Sequence, residues 1–275
     1  MDTATMPRFE PMTTGALLDR AFRLYANNFS LLLGITAVAY VPFYLIMLVF
    51  QSSMSFNPND ENAGWATIFY FIVFMVLWTS IAFPIAGGAA TYAISERYLG
   101  NDVAINAALR RGLANFWSVA MAQITVSIRV LIGLMLLIVP GVLWLLSYSL
   151  VVPTILVEGQ KAVPSLRRSR ELMKGYRGKA FAIMVVMILL EGILAIGISS
   201  VTSSIFRTDS TGGTVMNSAI TNLLSIFLAP LGIVATILLY YDMRIRKEGF
   251  DLDMLSRAIT DNNGQSAAAA PTLSV

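Results

Sequence analysis

Six long apolar stretches constrain the fold of this chain more than any other feature of its sequence. A helix needs about 20 mostly apolar residues to cross a bilayer, and these runs lack the two-residue alternation of strands. We therefore predict an all-α polytopic membrane protein with six transmembrane helices. The predicted spans are residues 29–50, 66–87, 116–139, 141–157, 180–201 and 219–241.

The composition supports the bilayer as the solvent for most of the chain. Of the 275 residues, 56% are hydrophobic and 13% are charged, whereas soluble domains carry about 25% charged residues. The mean hydropathy is +0.70. We predict one membrane domain over residues 1–260, followed by a small, polar, disordered tail over residues 261–275.

The positions of the basic residues predict the orientation of the spans. All but two of the 19 lysine and arginine residues lie in segments on one side of the six spans. The exceptions are Arg129, inside the third span, and Arg207, in an opposite loop. Cytoplasmic loops carry an excess of Lys and Arg, so we expect a cell-membrane protein with both termini in the cytoplasm.

The expected cytoplasmic segments also contain amphipathic patterns. Thr13 or Thr14 can cap one helix, Asn101 can cap a second, and Pro164 suits the first turn of a third. Apolar residues at helical spacing with polar residues opposite predict helices in the plane of the interface. Each precedes a span through a similar join, which indicates either a threefold repeat or shared interface chemistry. The joins end at Phe29, Phe116 and Phe181.

Two charged residues fall inside predicted spans, Arg129 and Glu191. Counted from the starts of their spans, they lie about 20 Å and about 17 Å deep. Because an unpaired charge in the membrane is costly, we expect the two to form an intramembrane pair. Such a pair either fixes helix register or belongs to a polar pathway.

Pro153, near the end of the short fourth span, predicts a helix break. A discontinuous helix can form part of a binding site, as in many transporters. The alternative is a plain helix end near the cytoplasmic interface.

Basic residues cluster after the fourth span and after the sixth. This clustering predicts a surface for anionic lipids or a partner, although it also serves as a topology signal. Nucleic acid is not an expected partner, because no recognition fold accompanies the patch. The predicted contact residues are Arg167, Arg168, Arg170, Lys174, Arg244, Arg246 and Lys247.

Two residue types that often carry catalysis and metal binding are missing from the sequence. It contains no histidine and no cysteine, which removes the commonest general base and the soft metal ligands. No phosphate-binding loop or nucleophile elbow is present. We expect no enzyme activity, no catalytic residues, no metal and no cofactor.

Three stretches resemble the glycerophosphoryl diester phosphodiesterase membrane domain family. They are RAFRLYANNFSLLL (20–33), VVPTILVEGQKAVPSLRRSRELMKGYRGKAF (151–181) and YYDMRIRKEGFDLDML (240–255). Some members of that family fuse this membrane domain to a phosphodiesterase barrel, which uses histidines and metal-binding carboxylates. The resemblance implies the bacterial membrane module without the enzyme, and it assigns no functional residues.

These observations favour a non-enzymatic bacterial membrane module that organises anionic lipids of the cytoplasmic leaflet or membrane protein partners. The alternative is a small transporter or permease that uses Arg129, Glu191 and the break at Pro153. An intramembrane enzyme acting through Glu191 is the third class. The sequence leaves the ligand, the partner proteins and the oligomeric state open.

Overall fold

The computed structural model describes residues 10–53, 63–206 and 211–249, and every regular element in these ranges is helical. The predicted tail over residues 261–275 lies outside them. The helices are α1 (Thr14–Asn27), α2 (Phe29–Ser53), α3 (Ala63–Leu77), α4 (Phe83–Tyr98), α5 (Ile105–Ala114), α6 (Phe116–Leu136), α7 (Ile138–Ser147), α8 (Val151–Glu158), α9 (Ala162–Met173), α10 (Arg177–Ile205) and α11 (Thr211–Glu248).

Within the described ranges, five helical segments are long and apolar enough to cross a membrane. They correspond to the first, third, fourth, fifth and sixth predicted spans, so the chain has the character of a helical membrane protein. Their bounds are Phe29–Val49, Phe116–Leu136, Ile138–Glu158, Arg177–Ile205 and Gly212–Glu248.

The second predicted span forms one interrupted helix. It consists of α3 and α4, joined by the π-helical turn Trp78–Ala82. Single π turns inside α-helices insert an extra residue per turn and are common at functional sites. The helix continues to Tyr98, beyond the predicted end of the span at residue 87.

The break in the fourth span lies at a different place from the one predicted. The chain leaves helical geometry over residues 148–150, between α7 and α8, and not at Pro153. Pro153 is buried in the first turn of α8, where its missing N–H has no hydrogen bond to lose. The fourth span is thus discontinuous, and its break lies in the turn that precedes Pro153.

The amphipathic helices bury their apolar faces against other helices of the same chain. Thr13 caps α1, since its hydroxyl accepts a hydrogen bond from the N–H of Ala16 at 3.2 Å. Leu17 of α1 and Ala108 of α5 are fully buried in the main core. In α9, Leu172 is buried in the same core. Their placement in the membrane interface stays a prediction.

Two of the three similar joins have the same local geometry. The side chain of Asn28 donates to the carbonyl of Leu24 at 2.9 Å, and that of Asn115 donates to the carbonyl of Arg111 at 3.0 Å. Each asparagine thus closes one helix with its side chain and links it to the next. The threefold repeat itself stays a prediction.

Helix α11 is the centre of the packing, because it contacts α1, α2, α4 and α10. One end of the bundle holds the C-terminus of α11, the N-terminus of α10, the end of α8 and helices α1, α5 and α9. We call this the basic end, because most of the described basic residues lie there. The opposite end, where α10 ends and α11 begins, is the far end.

Candidate functional site

A buried carboxylate, Asp242, ties three segments together at the basic end. It is fully buried and accepts hydrogen bonds from Met12 N at 2.7 Å, Lys179 Nζ at 2.6 Å and Arg246 Nε at 3.0 Å. Lys179 and Arg246 also donate to the carbonyl oxygen of Met12, each at 2.6 Å. The segment before α1 is therefore clamped between α10 and α11.

A second ionic cluster joins α8, α9 and the end of α11. Arg168 donates to both carboxylate oxygens of Glu158, and its nitrogen lies 2.5 Å from Glu248 Oε1. Glu248 also pairs with Arg244 at 3.1 Å, and Tyr240 donates to Glu158 at 3.0 Å. Burial lowers the pKa of Arg168, but hydrogen bonds to Glu248 and Glu158 outweigh burial and raise the pKa above its ordinary value.

These two clusters change the role of most of the predicted lipid-contact residues. Arg168, Arg244 and Arg246 pair with acids of the same chain. Lys247 donates to the carbonyl oxygens of Glu171 and Lys174, which closes the C-terminus of α9. These four side chains hold the basic end together, and two of them, Arg246 and Lys247, remain exposed.

The other three predicted lipid-contact residues are exposed and lie on α9 or directly after it. The Arg167 side chain is 86% exposed and pairs with Glu171 one helical turn away, at 2.9 Å. Such surface pairs contribute about 0–1 kcal/mol. Lys174 and Arg170 are exposed as well. Of these three, Arg170 and Lys174 are thus the exposed residues with no ion pair among the described residues.

Two arginines converge on one tyrosine beside this surface. Arg129 of α6 donates to the hydroxyl of Tyr148 at 3.2 Å, and Arg170 of α9 donates to the same hydroxyl. Their guanidinium carbons lie 5.6 Å and 5.5 Å from the centre of the Tyr148 ring. The break between α7 and α8 places Tyr148, and Ser169 fixes α9 against it by donating to Ser147 O at 2.9 Å.

This pair of arginines has no acidic partner among the described residues. Because both guanidinium groups donate to one hydroxyl, two like charges lie close together and repel each other. Cation–π contact with Tyr148 offsets part of that repulsion. Tyr148 is buried, Arg129 is half-buried and Arg170 is exposed, so an anion can approach from the side of α9.

The predicted ion pair between Arg129 and Glu191 does not form. Helix α6 packs chiefly against α7 and also against α9, whereas α10 packs chiefly against α11 and less against α7. Similar depth in two spans did not make the two residues lateral neighbours.

A polar groove lies between α10 and α11 at the far end. Its volume is about 520 Å³, and Arg129 and Glu191 are not among its lining residues. Over the described ranges, the structure groups no three acidic residues closely enough to hold a metal ion. The lining residues are Ala195, Ile196, Ser199, Ser200, Ser203, Asn217, Ser218, Thr221 and Asn222.

Comparisons with protein-family models, with curated proteins and with solved structures find no match to this chain. The three stretches that carry the family resemblance nevertheless meet in space. Arg20 lies over the ring of Tyr98, 4.9 Å from its centre, and Tyr98 packs against Tyr241. The Glu158–Arg168–Glu248 cluster joins the stretch 151–181 to the stretch 240–255. The family assignment itself stays a prediction.

Two residues central to the basic end were missed by reasoning from sequence, Asp242 and Tyr148. A signal for Asp242 exists, because it is the single acidic residue between Thr211 and Lys247, directly after an apolar run. Tyr148 gives no such signal. A tyrosine in an apolar segment is common, and only the fold brings Arg129 and Arg170 to it.

Proposed function

We propose that this chain is a non-enzymatic bacterial membrane module of six spans that binds anionic lipids at its basic end. The observation that carries the proposal is the convergence of Arg129 and Arg170 on Tyr148 without an acidic partner among the described residues. A phosphate group between the guanidinium groups replaces their mutual repulsion with two attractions. Arginine is well suited to this role, since its planar donors match phosphate oxygens.

The surroundings of this site suit a lipid head group. Lys174 is exposed directly after α9, the helix that carries Arg170. Each basic side chain near an anionic leaflet contributes about 1 kcal/mol of attraction. The proposed contact surface therefore consists of Arg129, Arg170 and Lys174, whereas Arg167 is paired with Glu171. Membrane protein partners with acidic segments are the other ligands that such a surface fits.

The proposed orientation places the basic end in the cytoplasm. It rests on the excess of Lys and Arg on one side of the spans, because anionic lipids and the positive-inside rule favour that side. The second span along the chain, which completes the proposed six, is the interrupted helix of α3 and α4. Residues 63–98 are together long enough to cross a bilayer and continue beyond it.

Lipid retention tests this proposal. Purified protein in a neutral detergent is incubated with phosphatidylglycerol or phosphatidylcholine, and bound lipid is counted by native mass spectrometry. We expect the wild type to retain phosphatidylglycerol preferentially. Arg170→Gln and Arg129→Gln are each expected to weaken this retention about ten-fold or more, since a hydrogen bond to a charged group contributes about 1.5–3 kcal/mol.

Arg167→Gln is the matched control for Arg170→Gln. It removes an equal charge from the same helix, but its side chain is exposed and paired with Glu171. We expect its retention of phosphatidylglycerol to stay within about two-fold of the wild type. Equal losses in all three variants would indicate general attraction to charge, and no loss in any of them would refute the site.

A small transporter is the second proposal, and the far-end groove is the observation that favours it. On α10, Ala195 at the edge of the groove lies one helical turn from Glu191. A polar opening beside a membrane-embedded carboxylate is a feature of ion and substrate pathways. Uptake of a solute into proteoliposomes, abolished by Glu191→Gln, would support this class.

A further inference from the structure

The far-end groove has a lining of unusual chemistry for a surface between two membrane helices. Seven of its nine lining residues are serine, threonine or asparagine, and none is charged. The polar lining residues come from both helices that form the groove, α10 and α11. On α10, Ser199 and Ser203 lie one turn apart, and on α11, Asn217 and Thr221 do the same.

Part of this polar lining is satisfied within the chain. Thr221 donates to the carbonyl of Asn217 at 2.9 Å, and the Asn217 side chain bonds to Thr202 and Ser199. Asn222 is different, because its carboxamide makes no hydrogen bond to the described residues. A carboxamide offers two donors and an acceptor. Without water in a bilayer, such a group requires a polar partner.

Apolar side chains surround the groove on its outer flank. Ile193 and Ile196 of α10 are 68% and 70% exposed, and Leu223 and Phe227 of α11 are 53% and 41% exposed. A polar recess bordered by bare apolar surface is complementary to an amphiphile with a small head group. The volume of about 520 Å³ lies within the range of small-molecule sites, which is roughly 300–1,000 Å³.

We propose that this groove binds the uncharged, hydroxyl-bearing head group of a membrane lipid. A charged phosphate finds no counter-charge in the lining, whereas hydroxyl groups can donate to and accept from Asn222 and the serines. The acyl chains lie along the exposed apolar residues of α10 and α11. Diacylglycerol and glycosyl diacylglycerol share this chemistry, and the site is independent of the anionic site at the basic end.

Native mass spectrometry on the full chain in neutral detergent tests this inference. The probes are dioleoylglycerol, glucosyl dioleoylglycerol, phosphatidylethanolamine and phosphatidylcholine. We expect the wild type to retain one or both uncharged lipids. Retention of the glucosyl lipid alone identifies a sugar head group, and retention of both identifies the glycerol hydroxyl. Preference for phosphatidylethanolamine or phosphatidylcholine overturns the proposed class.

Two groove variants and one matched control complete the experiment. Asn222→Leu is expected to lower retention of the uncharged lipid about ten-fold, and Thr221→Val about three-fold, as expected for lost hydrogen bonds. Thr125→Val is the control, because Thr125 of α6 bonds to the carbonyl four residues back, at 2.7 Å, as Thr221 does. It should leave retention unchanged.

Thr221→Val changes side-chain volume very little, so it keeps the test decisive if Asn222→Leu does not fold. Equal retention by Thr221→Val, Thr125→Val and the wild type overturns the inference. The mass of the intact protein–lipid complex gives a second readout, the oligomeric state. A dimer in the wild type that becomes a monomer in Thr221→Val or Asn222→Leu shows that a second copy occupies the groove, and this also overturns it.

Discussion

Replacing Asp242 with asparagine is predicted to loosen the basic end more than any other single change of charge there. The substitution keeps the size of the side chain and removes its negative charge. Asp242 is fully buried and accepts three hydrogen bonds of 2.6–3.0 Å, two of them from Lys179 and Arg246. Asp242→Asn therefore leaves those two cations beside each other without an anion.

The magnitude follows from the burial of the partners. The Lys179 and Arg246 side chains are 9% and 26% exposed. Breaking a buried ion pair by removing one partner costs about 3–5 kcal/mol. For a folded unit of this size, that loss lowers the melting temperature on the order of 10 °C. Asp242 accepts from Met12 N–H through one oxygen and from the two cations through the other, and asparagine has only one acceptor oxygen for these two tasks. The hold on the segment before α1 is therefore weakened.

Thermal unfolding of the purified protein in detergent, followed by tryptophan fluorescence, measures this effect. Limited proteolysis at the N-terminus gives the second readout, because Asp242→Asn should expose the segment around Met12. Glu171→Gln is the matched control, since Glu171 is 54% exposed and pairs with Arg167 on the surface. Its cost should be about 0–1 kcal/mol. Equal melting temperatures for the two variants would refute the reasoning.

Two further predictions concern contacts that join the helices of the basic end. A double-mutant cycle of Arg168→Gln and Glu248→Gln can be measured by thermal unfolding. It should show a coupling free energy of about 1–3 kcal/mol, because the ion pair is half-buried. Additive losses of stability would contradict direct pairing. Gly112→Ala should destabilise the protein, because a Cβ there would lie 2.7 Å from the backbone nitrogen of Ala89 on α4. Gly178→Ala, which meets nothing within 4 Å, should be neutral or stabilising, and a similar loss in both variants would argue against the close α4–α5 contact.

Helix positions were predictable from the sequence, whereas the lateral order of the helices was not. The apolar runs located five of the membrane-length segments because hydropathy depends on residues near one another in the chain. Arg129 and Glu191 were matched by depth alone. Whether two spans touch depends on their packing faces, and α6 turned out to pack against α7 and α9.

The candidate site illustrates the same limit. Clustering in the sequence indicated a basic surface, but it could not show that Arg168 folds back onto Glu158, ten residues earlier, or that Arg246 faces Asp242. Charge pairing across helices requires the fold. Arg170 remains available to a ligand because it donates to Tyr148 and forms no ion pair with a described acid.

Cysteine accessibility tests most directly the claim that the basic end faces the cytoplasm. The chain has no cysteine, so single variants carry one reactive thiol each. Lys174→Cys marks the exposed surface after α9, and Gly212→Cys marks the far end, where an added Cβ meets nothing within 4 Å. With a thiol reagent that does not cross membranes, we predict labelling of Gly212→Cys in intact cells and of Lys174→Cys only in inverted vesicles. Labelling of Lys174→Cys in intact cells would contradict the account.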